Sequence, residues 1–340
     1  MPAVTHQAAV LGAGSWGTAL AIHLAGVGHD VALWGRDRTL IDEMSARRAN
    51  PTYLPDLTFP DGIRPVPGVD EALSGARHVI VAVPSHGLRA VVHEAARFIP
   101  SDAVLVSATK GLEAGTLQRM STVIQEETGG RHPVVVLSGP SFAAEVARGR
   151  PTALVAASDD AEAVRSVQDR FRGPGFRVYA SDDVVGVEIG AALKNIIAIA
   201  AGVTQSMQLG HNALAALITR GLAEVSRLAC AAGGRRETLA GLSGLGDLVL
   251  TCTGELSRNR HVGIELGRGR PLSEILAGMR MVAEGVRTTD AALALGRRHG
   301  VELPIAGQMA DVLAGRLTPR DAVGNLMLRP QRGESDGQPG

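Results

Sequence analysis

The chain has 340 residues, 45% of them hydrophobic, and its 34 Lys and Arg balance 34 Asp and Glu. That length suits two domains, and the even charge excludes a chain-wide electrostatic case for nucleic acid or an acidic membrane surface, so any anion site has to be local. Two widely separated cysteines, Cys230 and Cys252, and a start "MPAVTHQ" with neither a basic nor an apolar leader region make a reduced, cytoplasmic protein the expectation.

Residues 8 to 37 read "AAVLGAGSWGTALAIHLAGVGHDVALWGRD". A strand-length apolar run enters a glycine-rich turn, an alanine-rich helix follows, and a second apolar run ends at Trp34. Gly12, Gly14 and Gly17 stand in G-x-G-x-x-G spacing after a strand and before a helix. There a tight turn lets backbone N–H groups approach a pyrophosphate at the positive helix end. At the end of the second strand, where an acidic residue would bind the ribose 2′-hydroxyl of NAD, the chain has Trp34-Gly35-Arg36. A guanidinium there suits a 2′-phosphate, so NADP(H) is favoured and NAD(H) stays usable. A solvated surface arginine is the competing reading of Arg36.

Strand-length runs recur at "HVIVAVP", "AVLVSAT" and "PVVVLSG", with helical stretches between them, and "PTALVAAS" and "GFRVYAS" add two further strands at the far edge. The strand ends on the carboxyl side carry Pro84 and Ser85, then Thr109, Lys110 and Gly111, then Ser138, Gly139, Pro140 and Ser141. Lys110 is a candidate anion ligand there. Ser141, four residues before Glu145, also resembles a helix start. From about Asp182 the pattern becomes long, alanine- and leucine-rich helices. The expected organisation is therefore an α/β, Rossmann-type dinucleotide-binding domain over residues 1–181, an all-α substrate and catalytic domain over 182–329, and a disordered Gly- and Pro-rich tail over 330–340.

Within the helical half, Lys194 is flanked by Ile189, Leu193, Ile196, Ile197 and Ala198 in a segment apolar around nearly all its circumference. Burying a lone ammonium is costly, so it needs a partner or a shifted pKa; snorkelling to the surface is the bland alternative. Asp247, the only charge in "AGLSGLGDLVLTCTG", is the candidate partner. Ser257, Arg258, Asn259 and Arg260 then place hydroxyl, guanidinium and amide donors together, a composition suited to a phosphate monoester, or to a polar helix start capped by Ser257. The nearest thing to a membrane span, "IIAIAAGVTQSMQLG", is broken by Gly202, Gln205 and Gln208, so no membrane insertion is expected. No His, Cys and Asp cluster has metal-ligand spacing, so no metal is expected, and His211 reads as a capping or core residue.

Together "GAGSWGTALA", "SATKGLE", "LSGPSFAAEVARGRPTA", "GAALKNIIAIAAG", "GLSGLGDLVLTCTGELSRNRHVG" and "MVAEGV" resemble the bacterial NAD(P)-dependent glycerol-3-phosphate dehydrogenases, from about residue 7 to 328. The resemblance implies reversible reduction of dihydroxyacetone phosphate to sn-glycerol 3-phosphate, the entry to glycerophospholipid synthesis. It implies Lys194 as the catalytic acid/base and substrate contacts at Lys110, Gly139, Ser141, Lys194, Asp247, Ser257, Arg258 and Asn259. It further implies dinucleotide contacts at Ser15, Trp16, Arg36, Tyr53, Lys110, Ala143, Arg258, Val282 and Glu284, beside the three glycines. The small-molecule substrate is the expected partner, nucleic acid is not, and a homodimer is the expected assembly. Two rival readings are a β-hydroxyacid dehydrogenase of the 6-phosphogluconate or 3-hydroxyisobutyrate type and a dinucleotide sensor without turnover.

Overall fold

A computed structural model describes residues 8–279, 281–331 and 333. Among these, ten strands occur: β1 (Ala8–Leu11), β2 (Val31–Trp34), β3 (Ala49–Asn50), β4 (Leu54–Thr58), β5 (Ile63–Val66), β6 (His78–Val81), β7 (Val104–Ser107), β8 (Val134–Ser138), β9 (Thr152–Ala157) and β10 (Phe176–Ser181). β3 and β4 form a small antiparallel hairpin, and the other eight form one sheet in the order β10-β9-β8-β7-β6-β1-β2-β5. From β5 to β8 neighbouring strands are parallel. Ala8 and Val10 of β1 pack on one face of the sheet and Ala9 and Leu11 on the other, with buried helical residues such as Leu20 and Leu88 closing the two sides. Apolar residues on both faces of every central strand are what a doubly covered parallel sheet requires.

The α/β organisation agrees with the sequence expectation, and the two far strands lie at the sheet edge where they were expected. β9, however, runs antiparallel to β8, pairing Ser138 with Val155, and β10 is parallel to β9. The stretch 49–66 carries three strands without a sequence signal, because it contains Pro51, Pro55, Pro60 and Pro65. Pro65 sits in β5, the outermost strand beside β2, where the missing N–H faces away from the ladder.

Beyond Ser181 the described chain is helical, built around the helix Val184–Ser206. Asp183 starts that helix by accepting from Gly186 N at 2.8 Å, and its second oxygen accepts from Arg235 N at 2.8 Å. Every residue from Gly186 to Thr204 is buried. Contrary to the expectation that interruptions disqualify it, this helix is long and apolar enough to cross a membrane by composition. Burial on all sides makes it the core helix of this half instead, since a membrane span needs a face for lipid. It crosses the helix Arg258–Gly267 backbone to backbone: a Cβ on Gly202 would lie 2.0 Å from Arg260 O, and one on Gly263 would lie 1.9 Å from Ile199 O. That crossing brings the Ser257–Asn259 helix start alongside Lys194 and Asn195.

The two halves share side chains at one loop. Leu112 and Leu117, from the loop after β7, pack into the helical core, and Arg119 pairs with the buried Glu188 of the long helix at 2.7 Å. Glu188 also accepts from Ser121 N at 2.8 Å and Ser121 Oγ at 2.6 Å. The loop that begins with Lys110 is therefore held by both halves. Of the tail expected over 330–340, residues 332 and 334–340 lie outside the described residues.

Candidate active site

The sheet order reverses at β1, which has β2 on one side and β6 on the other, so a crevice opens beyond the carboxyl ends of these strands. Gly12 adopts φ +122°, and its Cβ would lie 2.5 Å from Ala82 O; a Cβ on Gly17 would lie 1.9 Å from Gly12 O. These two glycines make the turn possible. Gly14 differs, because a Cβ there would meet nothing within 4 Å and would point into open space. It precedes the helix Ser15–Gly26, and among the described residues that helix has no side-chain cap at its N-terminus and the buried indole N–H of Trp16 has no partner. Free backbone donors, an open approach and an orphaned N–H fit a bound dinucleotide pyrophosphate.

Some of the other expected dinucleotide positions are tied to this loop by hydrogen bonds. Ser15 Oγ donates to Met281 Sδ at 3.5 Å, which brings the segment containing Val282 over the glycine turn. Ala143 opens the short helix Ala143–Ala147 and packs against the sheet core. Arg36 is exposed, whereas the neighbouring Asp37 caps the helix Arg38–Arg47 by accepting from Leu40 N at 3.2 Å. Asp37 thus acts as a cap, and among the described residues Arg36 has no hydrogen bond or ion pair at this strand end. Asn50, fully buried, was not anticipated: it donates to Ala13 O at 2.9 Å and Thr18 Oγ1 at 2.8 Å, and its Oδ1 accepts from Tyr53 N at 3.1 Å. The β3–β4 hairpin and Tyr53 are thereby fastened to the glycine turn.

Lys194 and Asp247 meet as the sequence suggested. Lys194 Nζ donates to Asp247 Oδ1 at 2.5 Å and to Thr251 Oγ1 at 2.7 Å, and the lysine is only 6% exposed, so it does not snorkel. Lys110 Nζ, from the end of β7, donates to the other Asp247 oxygen at 2.7 Å and to Gly139 O at 3.0 Å. Asp247 thus bridges one lysine from each half of the molecule. It is placed by a π-helical turn, Leu242–Gly246, directly before its own helix; Gly244 allows that turn, because a Cβ would lie 2.1 Å from Leu239 O. Burial lowers the Lys194 pKa to about 8; the Asp247 carboxylate opposes that shift and the Lys110 charge adds to it. Nearby Cys252 is buried, and its thiol is pushed up to about 12 by desolvation, so it stays protonated.

Ser141 does not start a helix: the helix begins after Phe142, and Ser141 Oγ donates to Gly139 O at 3.1 Å, beside the Lys110 contact. Ser257 does cap its helix, accepting from Arg260 N at 3.2 Å. Asn259 is engaged as a bracket. Its Nδ2 donates to Asn195 Oδ1 at 2.9 Å and its Oδ1 accepts from Gly285 N at 2.9 Å, tying together the starts of two helices beside Lys194. Between these two residues, the Arg258 guanidinium makes no hydrogen bond among the described residues. It is exposed, and desolvation by the protein around it lowers its pKa against the opposing charge of Glu284. Glu284 accepts from Ser85 N at 3.2 Å and Ser85 Oγ at 2.6 Å, a clasp between the two halves that sequence patterning does not reveal.

His211 is exposed and stands in the first turn of the helix Gly210–Ala231, after the N-cap position Leu209, which corrects its expected core or capping role. Among the described residues no group of three or more His, Cys, Asp or Glu could hold a metal. The arrangement can hold an anion at Arg258, and it can pass a proton between Lys194 and an oxygen placed beside it, next to an open dinucleotide turn.

Residues 7–164 match the family described as NAD-dependent glycerol-3-phosphate dehydrogenase N-terminus, and residues 183–324 match its C-terminus. The chain is similar to glycerol-3-phosphate dehydrogenase [NAD(P)+] of Koribacter versatilis, 52% identical over 270 residues, covering 78% of this chain and 80% of the relative. It is 54% identical over 264 residues to the protein of the same name in Thioalkalivibrio sulfidiphilus, covering 78% and 79%. The crystal structure of glycerol-3-phosphate dehydrogenase from Coxiella burnetii superposes with a TM-score of 0.92 at 42% identity, covering 96% of this chain and 99% of that one.

Proposed function

The chain belongs to the NAD-dependent glycerol-3-phosphate dehydrogenase family, and from that premise we propose that it reduces dihydroxyacetone phosphate reversibly to sn-glycerol 3-phosphate, with Lys194 as the acid/base. The observation that carries this reading is the buried Lys194–Asp247–Lys110 bridge, together with an Arg258 that has no ion pair among the described residues. When bound, NAD(P)H supplies the hydride. An ammonium has three N–H donors, and Lys194 spends two on Asp247 and Thr251; the third is available to the oxygen on C2. Lys194 gives its proton to that oxygen in reduction and takes it back in oxidation, and a pKa near 8 suits both directions near neutral pH. Asp247 fixes the position of Nζ.

Arg258 holds the substrate phosphate, assisted by the backbone N–H groups at the start of its helix, and this sets C2 against the reacting face. Ser257 and Asn259 act mainly by shaping that helix start, because their side chains cap and bracket it. Lys110, Gly139 and Ser141 wall the same pocket. Ser15, Trp16, Ala143, Val282 and Glu284 line the dinucleotide side. Residues 1–181 supply the glycine turn of the dinucleotide side and residues 182–329 supply Lys194, Asp247 and Arg258, while Lys110 and Glu284 reach across between the two.

Spectrophotometric oxidation of NADPH is the test. Turnover is expected with dihydroxyacetone phosphate and little with unphosphorylated dihydroxyacetone or the oxo forms of β-hydroxyacids. NADPH binding without oxidation on the phosphate ester would make the chain a sensor and sink the proposal. A cytoplasmic homodimer accompanies this reading, supported by two free cysteines and by Leu245, Val249 and Leu256 left exposed on the helical half. Fractionation and light scattering of the native protein test it, and a monomer at micromolar concentration would end the dimer assignment.

A further inference from the structure

The strand ends of β2 and β6 flank β1, two strand spacings or about 10 Å apart. Arg36 follows β2, and Ser85 and His86 open the helix that follows β6. Across the cleft, Glu284 clasps Ser85, with hydrogen bonds of 2.6 and 3.2 Å. Arg287 lies three residues further along the helix Glu284–Arg298, on the same face as Glu284. Arg36, His86 and Arg287 are all exposed, and among the described residues neither arginine has an ion pair or hydrogen bond. That placement agrees with the electrostatics of His86, whose pKa is lowered by desolvation and then by the charge of Arg287, with Arg36 adding to it. Glu284, the acid in their midst, has both carboxylate oxygens engaged by Ser85. Two like charges brought from opposite halves of the molecule, neither of them in an ion pair among the described residues, offer guanidinium donors to an anion such as a phosphate beside the hydrogen-bonded Glu284.

We propose that Arg287 is the second cation for the 2′-phosphate of NADP(H), reaching across from the helical half to complete the site that Arg36 begins. Arg287 is thus a specificity-determining residue, and preference for NADPH depends on how the two halves are apposed as well as on the strand end. The inference rests on reading the glycine turn as a dinucleotide site. A pyrophosphate is common to NADPH and NADH, whereas the 2′-phosphate is present only in NADPH, so the two nucleotides separate the possible roles of Arg287.

Equilibrium binding of NADPH and NADH to the full chain, followed by nicotinamide fluorescence, tests this without turnover. Arg287→Gln should weaken NADPH by about tenfold to a hundredfold and leave NADH within about threefold, the range expected for losing one charge-assisted contact to phosphate. Arg287→Lys should restore part of the loss, because a point charge remains without the planar fork. Equal weakening of both nucleotides, or no weakening of NADPH, would overturn the proposal. If Arg36→Gln leaves the preference intact while Arg287→Gln removes it, the inference stands and the role given to Arg36 falls. A wild-type chain that binds neither nucleotide would overturn the dinucleotide reading itself.

Discussion

Replacing Lys194 by Met is expected to lower kcat by about a hundred- to ten-thousandfold while NADPH still binds, because the change removes a proton donor and keeps the length and apolar stem of the side chain. Thermal stability should hold or rise. The ammonium lies in a buried setting that already lowers its pKa to about 8, and Asp247 keeps its 2.7 Å contact with Lys110 when Lys194 is gone. The loss of Lys194 therefore does not orphan the carboxylate. The same group sets the pH dependence of the wild type. Reduction requires protonated Lys194 and should fall as pH rises through about 8, whereas oxidation requires the neutral amine and should rise through the same range. Near-normal kcat in a folded Lys194→Met protein, or profiles in the two directions that move together with pH, would remove the acid/base role.

The second large effect is expected at Arg258. Arg258→Ala should raise KM for dihydroxyacetone phosphate by about ten- to a hundredfold and erode the discrimination against unphosphorylated dihydroxyacetone, since a charged ligand for a dianion is lost. Folding should be little affected, because among the described residues this guanidinium makes no hydrogen bond and desolvation already works against its charge. Asn259→Ala offers the contrast. It would leave Asn195 and Gly285 N without their 2.9 Å partners, so it should lower the melting temperature as well as activity. An unchanged KM in folded Arg258→Ala would move phosphate binding elsewhere, with Lys110 the next candidate.

How much of this was visible in the primary structure depends on the range over which each signal acts. The glycine spacing at Gly12, Gly14 and Gly17, the β-then-helical change of pattern near Asp182, and the isolation of Lys194 and Asp247 among apolar residues are local properties of short stretches. Each carries its own energetic consequence: a turn that excludes Cβ atoms, a face that must be covered, a charge that cannot be buried alone. That last constraint is what pairs Lys194 with Asp247.

The antiparallel direction of β9, the proline-rich strands between Ala49 and Val66, and the identity of the groups around the pair did not follow. Lys110 reaches Asp247 across 137 residues of sequence, and Glu284 reaches Ser85 across 199. Ser257 and Asn259 read alike as phosphate donors, and only their neighbours show one to be a cap and the other a bracket. A sequence by itself determines that a buried charge or an open turn needs a partner, because that cost belongs to the residue. Only the tertiary structure decides which partner it gets, because that choice belongs to the packing of distant elements against one another.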